Sequence, residues 1–289
     1  MSKIRQEIDR LDDQIHDLIV ARADLVTRLA KSGAKQGIPY RPAREAQILR
    51  RLLKRHRGPL PAEALMGIWR EILSSMTLIQ APMSVAVWSA DHAPQYLALT
   101  RDHFGAGVRV RALQSSAQVL AAVETGQMSL GVLPVPGDTA AAEPTEVPWW
   151  LRFLRGDAHD LSIVARLPLL TAWAEAPQKV AAFVVARLVP EPSGNDDSLV
   201  AFECSPSLDD TAIGNLVSDA GFQLRSLVVY RGEPAAVACL AEVAGHVSAA
   251  APRLSDLARR GALRPCVLGA WPVLSVNVAS SVPTEDPTR

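Results

Sequence analysis

The chain has 289 residues, 48% of them apolar, and no formal net charge at pH 7. This length and this apolar content indicate a globular protein with two or three units that each bury a core. Because no run of about 18 apolar residues occurs and the N-terminus is charged, the sequence predicts neither a membrane span nor a signal peptide, and we expect a cytoplasmic protein.

The three cysteines, Cys204, Cys239 and Cys266, show no metal-binding spacing. In a reducing compartment, an odd number of scattered cysteines more often means buried free thiols than disulfides. The sequence therefore indicates free thiols and gives no sign of a metal site.

Charge is unevenly distributed along the chain. Residues 1–80 contain 15 Lys and Arg against 9 Asp and Glu, whereas the remainder contains 15 against 21. An excess of positive charge in one part of a chain indicates an anionic partner for that part, either a nucleic acid or a small polyanion.

Residues 3–32 have the apolar spacing of one long helix. The spacing alternates between four and three residues, and Arg22 occupies a polar position within the series. A seam of this length requires a partner helix, so we expect packing against another subunit as well as within the chain. The apolar members of the seam are Ile4, Ile8, Leu11, Ile15, Leu18, Leu25 and Leu29.

Two shorter helices are predicted after the first. Gly33 and Gly37 end the long helix, as glycine commonly does at helix C-termini. The second helix is expected at about residues 43–57 and the third from about Pro61 to Gln80, just before Pro82.

From residue 82 to residue 198, short strands and helical segments predict an α/β layer. A polar segment rich in Pro and Gly at residues 189–198 is expected to be a linker. The expected strands lie at 84–90, 108–113, 130–135, 161–170 and 180–188, and the expected helices at 115–127 and 149–154.

Residues 199–278 are predicted to form a second α/β unit. The order of its elements is strand, helix, strand, strand, helix, strand, which is the βαββαβ order of a ferredoxin-like fold. Residues 279–289 are polar and are expected to be a flexible tail. The strands are expected at 199–205, 223–232, 234–245 and 263–273, and the helices at 208–221 and 250–261.

Five polar residues of the helical segment stand out together: Arg5, Arg22, Arg44, Glu45 and Gln80. Each alone has an ordinary explanation, such as a solvated helix face or an ion pair with a neighbouring helix. Together they suit a site that holds a small anion within a helical bundle. Nucleic-acid binding is disfavoured, because Arg22 lies in the apolar seam and no aromatic residues accompany the charge.

Three segments carry a family resemblance: "IRQEIDRLDDQIHDLIVARADLVTRLAK", "YRPAREAQIL" and "WREILSSMTLIQ". They closely resemble the all-helical (AroQ class) chorismate mutase domain that begins bifunctional chorismate mutase–prephenate dehydratase proteins. The resemblance implies a three-helix domain at residues 1–81 that forms an intertwined homodimer and converts chorismate to prephenate. In that family each site also borrows an arginine from the first helix of the partner subunit.

The resemblance also implies a role for each polar residue. Arg5 resembles the borrowed arginine and Arg22 the arginine of the same chain, and both grip the carboxylates of the substrate. Arg44 resembles a supporting arginine, Glu45 the acid that accepts the ring hydroxyl, and Gln80 the amide near the ether oxygen. The rearrangement needs a cage for the reactive conformer and requires no nucleophile, metal or cofactor.

One expected residue is missing. The family places a lysine, the stronger donor to the ether oxygen, eleven residues after the first-helix arginine, and this chain has Gly33 there. Lys31 and Lys35 lie two residues away, which on a regular helix points them roughly to the opposite side. Either the helix breaks and Lys35 reaches the site, or the donor is absent. Met76 also replaces a residue that often has a small hydroxyl or thiol side chain in the family.

Residues 82–198 resemble the prephenate dehydratase domain more weakly, through "SVAVWSA", "VETGQMSLGVLPV" and "VAAFVVARL". The dehydratase motifs fall on "SADHAPQ", on residues 136–138 and on residues 181–183, which keep no suitable polar group apart from Asp138. The segment also looks too short for the second lobe of that family. We therefore expect a truncated dehydratase-like domain without dehydratase activity.

Residues 199–278 resemble the ACT domain that senses phenylalanine in these proteins, through "AEVAGH" and "LRPCVLGAWPV". Its two effector-binding motifs fall on residues 208–210 and 228–231 and are not preserved. A structural role in dimerisation is expected rather than phenylalanine feedback. The sequence thus predicts a chorismate mutase of aromatic amino acid biosynthesis. The alternative is a non-catalytic relative that binds chorismate or prephenate or has a regulatory role.

Overall fold

The computed structural model describes residues 2–32, 37–89, 93–137, 147–158, 160–169, 180–232 and 234–274. Three helices come first: α1 at Ser2–Lys31, α2 at Pro42–Arg55 and α3 at Ala62–Gln80. These bounds confirm the predicted all-helical N-terminal segment to within two residues at each end. Pro42 opens α2 at a position where its missing N–H costs no hydrogen bond.

The apolar seam of α1 is exposed in the single chain. Its seven apolar members are between 51% and 71% exposed, and no residue of α1 is buried. A monomeric protein rarely exposes so large a contiguous apolar surface. Within the described part of the chain, α3 is the main neighbour of α1.

The first α/β segment has five strands and three helices. Seven of these eight elements were predicted in type and approximate position, although β4 and β5 are shorter than expected. Helix α4 was missed by the sequence analysis, which assigned no element to it. The elements are β1 Ser84–Trp88, α4 Gln95–Phe104, β2 Arg109–Leu113, α5 Ser116–Glu124, β3 Leu130–Pro134, α6 Leu151–Leu154, β4 Ser162–Leu167 and β5 Ala182–Ala186.

The second α/β segment has the predicted βαββαβ order. Its strands lie in the order β9-β6-β8-β7, and every neighbouring pair is antiparallel, as in a ferredoxin-like unit. The assignment of this unit to the ACT family stays a prediction. The elements are β6 Asp196–Cys204, α7 Asp210–Asp219, β7 Leu224–Tyr230, β8 Val237–Ala244, α8 Pro252–Arg259 and β9 Leu263–Pro272.

Both α/β segments contribute to one nine-stranded sheet with the order β2-β1-β3-β5-β4-β9-β6-β8-β7. They meet where β4 runs parallel to β9, with Ile163 opposite Gly269. The main core spans this junction, since it includes Val184 from one segment and Leu240 and Trp271 from the other. The division into domains at residues 198 and 199 therefore stays a prediction, and the two segments share a sheet and a core.

The segment expected to be a linker is well anchored. Ser193 and Asp196 are buried, and Asp196, whose carboxylate accepts hydrogen bonds from the backbone of residues 193 and 194, already belongs to β6. The guanidinium of Arg50 on α2 donates to the carbonyls of Ser193 and Val273. This part of the chain thus fixes α2 to the sheet.

A small core lies beneath α2 and α3. Leu49 and Leu73 from these helices pack with Leu274, which follows β9 and is 1% exposed. Tyr40, just before α2, is 2% exposed and belongs to the main core. The helical segment is therefore docked on the sheet by apolar contacts as well as by Arg50.

Replacing Gly269 by Ala should destabilise the protein by roughly 3 kcal/mol, the upper part of the usual cost of overpacking. A Cβ atom at Gly269 would lie within 2.7 Å of the backbone O, N and C atoms of Ile163, which cannot move without separating β4 from β9. Urea unfolding measures the change in the free energy of unfolding.

Gly214→Ala in α7 is the matched control. A Cβ atom there would make an ordinary contact at 3.6 Å with the Leu224 side chain. Because alanine favours a helix interior, this variant should be neutral or more stable by up to about 1 kcal/mol. Equal stability of the two variants would contradict the close approach at Gly269.

Candidate active site

Four of the predicted site residues line one cavity of about 510 Å³: Arg22, Arg44, Glu45 and Gln80. The cavity lies between the C-terminal half of α1, the segment from residue 37 to the first turns of α2, and the end of α3. Glu191 and Pro192 close one side, so the α/β part of the chain also contributes to its wall.

Arg22 is the most informative residue of the cavity. It is half-buried, and its Nη1 atom is buried without a hydrogen-bond partner among the described residues. Burial lowers the pKa of its guanidinium. An arginine partly removed from water and left without a negative partner is costly, and an anion in the cavity would remove that cost.

Two further charged residues line the cavity and were not among the residues that the sequence assigned to the site. Arg41 stands directly before α2, one turn from Arg44, and its place in "YRPARE" could have suggested it. No pattern in the sequence connects Glu191 with the site, because it lies 110 positions after Ala81. Ala81 is the last residue of the helical segment that lines the cavity. The cavity has an excess of positive charge, because Glu45 is already paired with Arg70 and the three arginines outweigh Glu191.

Glu45 is buried and pairs with Arg70 of α3. Arg70 Nη1 donates to Glu45 Oε2 at 2.6 Å, and the two side chains are 6% and 9% exposed. The sequence analysis assigned Glu45 to the site but missed Arg70. The residue stands 25 positions away on another helix, and no spacing rule connects the two.

Behind this pair lies a buried polar network. The Tyr40 hydroxyl and His103 Nε2 are 2.9 Å apart, and Arg70 Nη2 lies 3.4 Å from the same nitrogen. Because arginine can only donate, His103 Nε2 is the acceptor, and the neutral ring carries its proton on Nδ1. Burial and then the Arg70 charge lower the pKa of His103, while burial and then the Glu45 charge raise the pKa of Tyr40.

Gln80 lies at the last position of α3 and is half-buried. Its Nε2 donates to the Met76 carbonyl at 3.2 Å, which uses one of its two N–H groups. Met76 itself is buried and lines the cavity. The amide therefore keeps a second donor and is held near the cavity wall.

The remaining predicted site residues are Arg5 and Lys35. Arg5 is exposed near the start of α1 and does not line the cavity of its own chain. Seventeen residues of helix separate it from Arg22, a distance of about 25 Å along the axis. Gly33 and Lys35 lie outside the described residues, so their placement stays a prediction.

Several described positions of the dehydratase-like motifs hold residues without a polar side chain. Ala182 and Phe183 are buried in β5, and Pro136 and Gly137 follow β3. Asp138 and residues 90–92 of "SADHAPQ" lie outside the described residues.

The positions of the two ACT motifs lie against each other. Arg231 Nη2 donates to the carbonyl of Leu208 at 3.0 Å and to the Asp210 carboxylate at 2.7 Å. Asp209 caps the N-terminus of α7 by accepting a hydrogen bond from the backbone of Ala212. The side chains of Asp209, Asp210 and Arg231 therefore already form hydrogen bonds within the protein.

The described residues contain neither a membrane-spanning helix nor a cluster of metal ligands. None of their helices is both long and apolar enough to cross a membrane. No group of three or more His, Cys, Asp or Glu side chains among them could hold a metal ion. Cys204 and Cys239 are buried free thiols, with their sulfur atoms 3.5 Å apart.

The helical segment and its cavity define a class: an all-helical domain with a cavity lined by arginines. Residues 4–81 match the family model described as chorismate mutase type II. This match confirms the resemblance of the N-terminal segment.

Other similarities extend into the α/β part. A bifunctional chorismate mutase/prephenate dehydratase of Stutzerimonas stutzeri is 31% identical over 148 residues, which cover 49% of this chain and 40% of that protein. The chain thus spans less than half the length of the curated relatives it matches. Two solved structures cover 66% and 67% of this chain. The first is GqqA, a novel type of quorum quenching acylases, with 20% sequence identity, a TM-score of 0.48 and 95% of that chain covered. The second is prephenate dehydratase from Streptococcus mutans, with 14% sequence identity, a TM-score of 0.47 and 99% of that chain covered.

Replacing His103 by Gln should make stability less sensitive to acid. Below pH 6.5 the unfolded chain binds a proton at His103, which the folded chain resists because burial lowers the pKa of the ring. The wild-type free energy of unfolding therefore falls by up to about 1.4 kcal/mol per pH unit from this residue alone. The Gln side chain can accept a hydrogen bond from the Tyr40 hydroxyl, and it does not titrate.

Urea unfolding at pH 7 and pH 5 measures this difference. His16→Gln, on the exposed surface of α1, is the control and should lose as much stability in acid as the wild type. An equal loss for the His103→Gln variant would contradict the burial of a neutral imidazole.

Proposed function

We propose that the protein is a chorismate mutase that converts chorismate to prephenate by a cofactor-independent [3,3] rearrangement. The observation that carries the proposal is the half-buried Arg22, whose Nη1 atom lacks a partner among the described residues and which lines a cavity with two further arginines. Chorismate carries two carboxylates, and arginine binds carboxylates through paired N–H donors. The family match of residues 4–81 supports the same assignment.

The arginines act by holding one conformer. Arg22 binds one carboxylate and, with Arg44 and Arg41 nearby, gives the cavity the charge that a dianion needs. Fixing both ends of the substrate removes the rotational freedom that separates its extended form from the folded, reactive one. At the favourable limit such orientation contributes roughly 7 to 11 kcal/mol to lowering a barrier.

Glu45 and Gln80 act on the two oxygen functions between the carboxylates. Glu45 accepts the ring hydroxyl, with its carboxylate held in place by Arg70. Negative charge grows on the ether oxygen as its bond to the ring breaks, and the remaining N–H of Gln80 donates to it. A donor that meets charge only as it develops lowers the barrier selectively.

We further propose a homodimer formed through α1. The exposed apolar seam of α1 has the length and spacing of a helix that packs on a second helix. Arg5, which is remote from the cavity of its own chain, would then reach the cavity of the partner. Such an arrangement gives two equivalent sites, each completed by the other subunit.

The α/β part is proposed to have no dehydratase activity, because Ala181 and the buried Ala182 replace polar motif residues. The 199–278 unit is proposed to be an ACT-like domain with a structural role. Arg231 and Asp210, at the positions of the two effector-binding motifs, form an ion pair with each other. We also propose a cytoplasmic location.

The rival function is a protein that binds chorismate or prephenate without turnover, and Gly33 in place of a lysine favours it.

Purified protein should consume chorismate and accumulate prephenate, followed by ultraviolet absorbance. Arg22→Ala and Arg5→Ala should each lower kcat/KM by roughly 100-fold or more, because each leaves a carboxylate poorly paired. Mixing and refolding the two variants should restore about a quarter of the wild-type activity, since half the dimers would be mixed and each would contain one intact site.

Arg28→Ala is the control, because Arg28 is exposed near the end of α1 and does not line the cavity. Its turnover should match the wild type. Loss of chorismate no faster than the spontaneous reaction would refute the proposed activity. Tight calorimetric binding without turnover would then favour the rival function. Failure of the mixture to regain activity would contradict the shared site.

Gly33→Lys should raise kcat by roughly 10²- to 10³-fold, the scale associated with one oxyanion donor. The reason is that the added ammonium would meet the charge on the ether oxygen. Ser32→Lys is the control, because Ser32 is exposed at the end of α1 and does not line the cavity, and it should change kcat little. No gain from Gly33→Lys, together with loss of activity in Lys35→Ala, would instead assign the donor to Lys35.

A further inference from the structure

We propose that Arg70 is a positioning residue for the rearrangement and that helix α4 of the α/β part sets the orientation of Glu45 through it. This inference rests on the proposed function. It assigns a role in the reaction to Arg70 and to the C-terminus of α4.

The first link is the buried pair itself. Arg70 engages Oε2 of Glu45 at 2.6 Å, which leaves Oε1 as an acceptor for a substrate hydroxyl. Glu45 lines the cavity, whereas Arg70 does not. A carboxylate held on one oxygen by a buried guanidinium has little freedom to turn, so the position of Arg70 determines where the second oxygen lies.

The second link fixes Arg70. Its Nε and Nη2 atoms donate to the carbonyl oxygen of His103 at 3.1 and 2.7 Å. His103 lies in the last turn of α4, where carbonyl groups have no partner within the helix. A cation is favoured at this end of a helix. Ser74, one turn after Arg70 on α3, donates to the next carbonyl, that of Phe104.

The third link returns to α2. His103 Nε2 accepts from the Tyr40 hydroxyl at 2.9 Å, and Tyr40 lies five residues before Glu45. Tyr40 and Arg70 therefore both contact His103, and Arg70 contacts Glu45. This closed circuit of buried side chains joins the segment that carries Arg41, Arg44 and Glu45 to α4, so a shift of α4 would move the acid relative to the arginines.

Arginine is the side chain that suits this position. Its planar fork donates to the His103 carbonyl with one edge and to Glu45 with the other. A lysine ammonium is a point donor on a flexible stem and cannot reproduce both sets of bonds with fixed directions. Arg70→Lys should keep the charge and lose the positioning.

The test is a double-mutant cycle on kcat. Arg70→Lys in the wild-type background should lower kcat by about 100-fold, the cost of a displacement of about 1 Å in a catalytic group, with a smaller change in KM. In the Glu45→Gln background the same substitution should lower kcat less than 3-fold, because Arg70 acts through Glu45. Tyr40→Phe, which removes one hydroxyl, should show the same dependence on Glu45 with a smaller effect.

Arg50→Lys is the matched control. Arg50 also joins α2 to the α/β part, through residues 193 and 273, but it does not line the cavity. A loss of docking alone would give the same fold change in the wild-type and Glu45→Gln backgrounds. The melting temperature of each variant shows whether it folds. If Arg70→Lys does not fold, the cycle is measured with Tyr40→Phe in its place.

Two failures are distinguishable. If wild-type protein turns chorismate over and the Arg70→Lys and Tyr40→Phe effects are equal in both backgrounds, the positioning role is wrong and the proposed function stands. If wild-type protein binds chorismate without turnover, the activity is wrong, and the same cycle read on the calorimetric Kd supports or refutes the positioning role. Wild-type protein that neither binds nor converts chorismate would overturn both.

Discussion

The site depends on one constraint: arginine side chains that are partly removed from water must meet negative charge. Arg22 stands in an apolar helix seam with one buried donor atom unpaired within the described residues. Glu45, the acid that the sequence assigned to the site, is not available to Arg22, since Arg70 already pairs with Glu45. The cavity therefore keeps an excess of positive charge, since its three arginines outweigh Glu191.

The same pairing connects the helical segment to the sheet. Arg70 is held by the last carbonyl groups of α4, and Arg50 by the turn before β6. Glu191, beyond β5, forms part of the cavity wall. The α/β part therefore has a physical role at the site even where its own motif positions hold buried apolar side chains.

Local sequence predicted the elements where local rules apply. The spacing of α1, the proline at the start of α2 and the βαββαβ order of residues 196–272 all appear in the structure. The sequence analysis did not predict helix α4, because its ten residues have weak apolar periodicity. Contacts from α3 to the C-terminus of α4 stabilise its position. The expected linker at 189–198 looked polar and mobile, yet burial of Asp196 and the bonds from Arg50 anchor it.

For the site, the sequence alone determined which groups are present: the arginines, the acid and the amide of a helical segment, through residue types and spacing on single helices. Only the tertiary structure decided that Arg41 and Glu191 share the cavity and that Glu45 is paired with Arg70. It also placed Arg5 away from the cavity of its own chain. The physical reason is that periodicity fixes the face of an element on which a side chain lies. The partner of a buried charge is chosen by packing between elements distant along the chain.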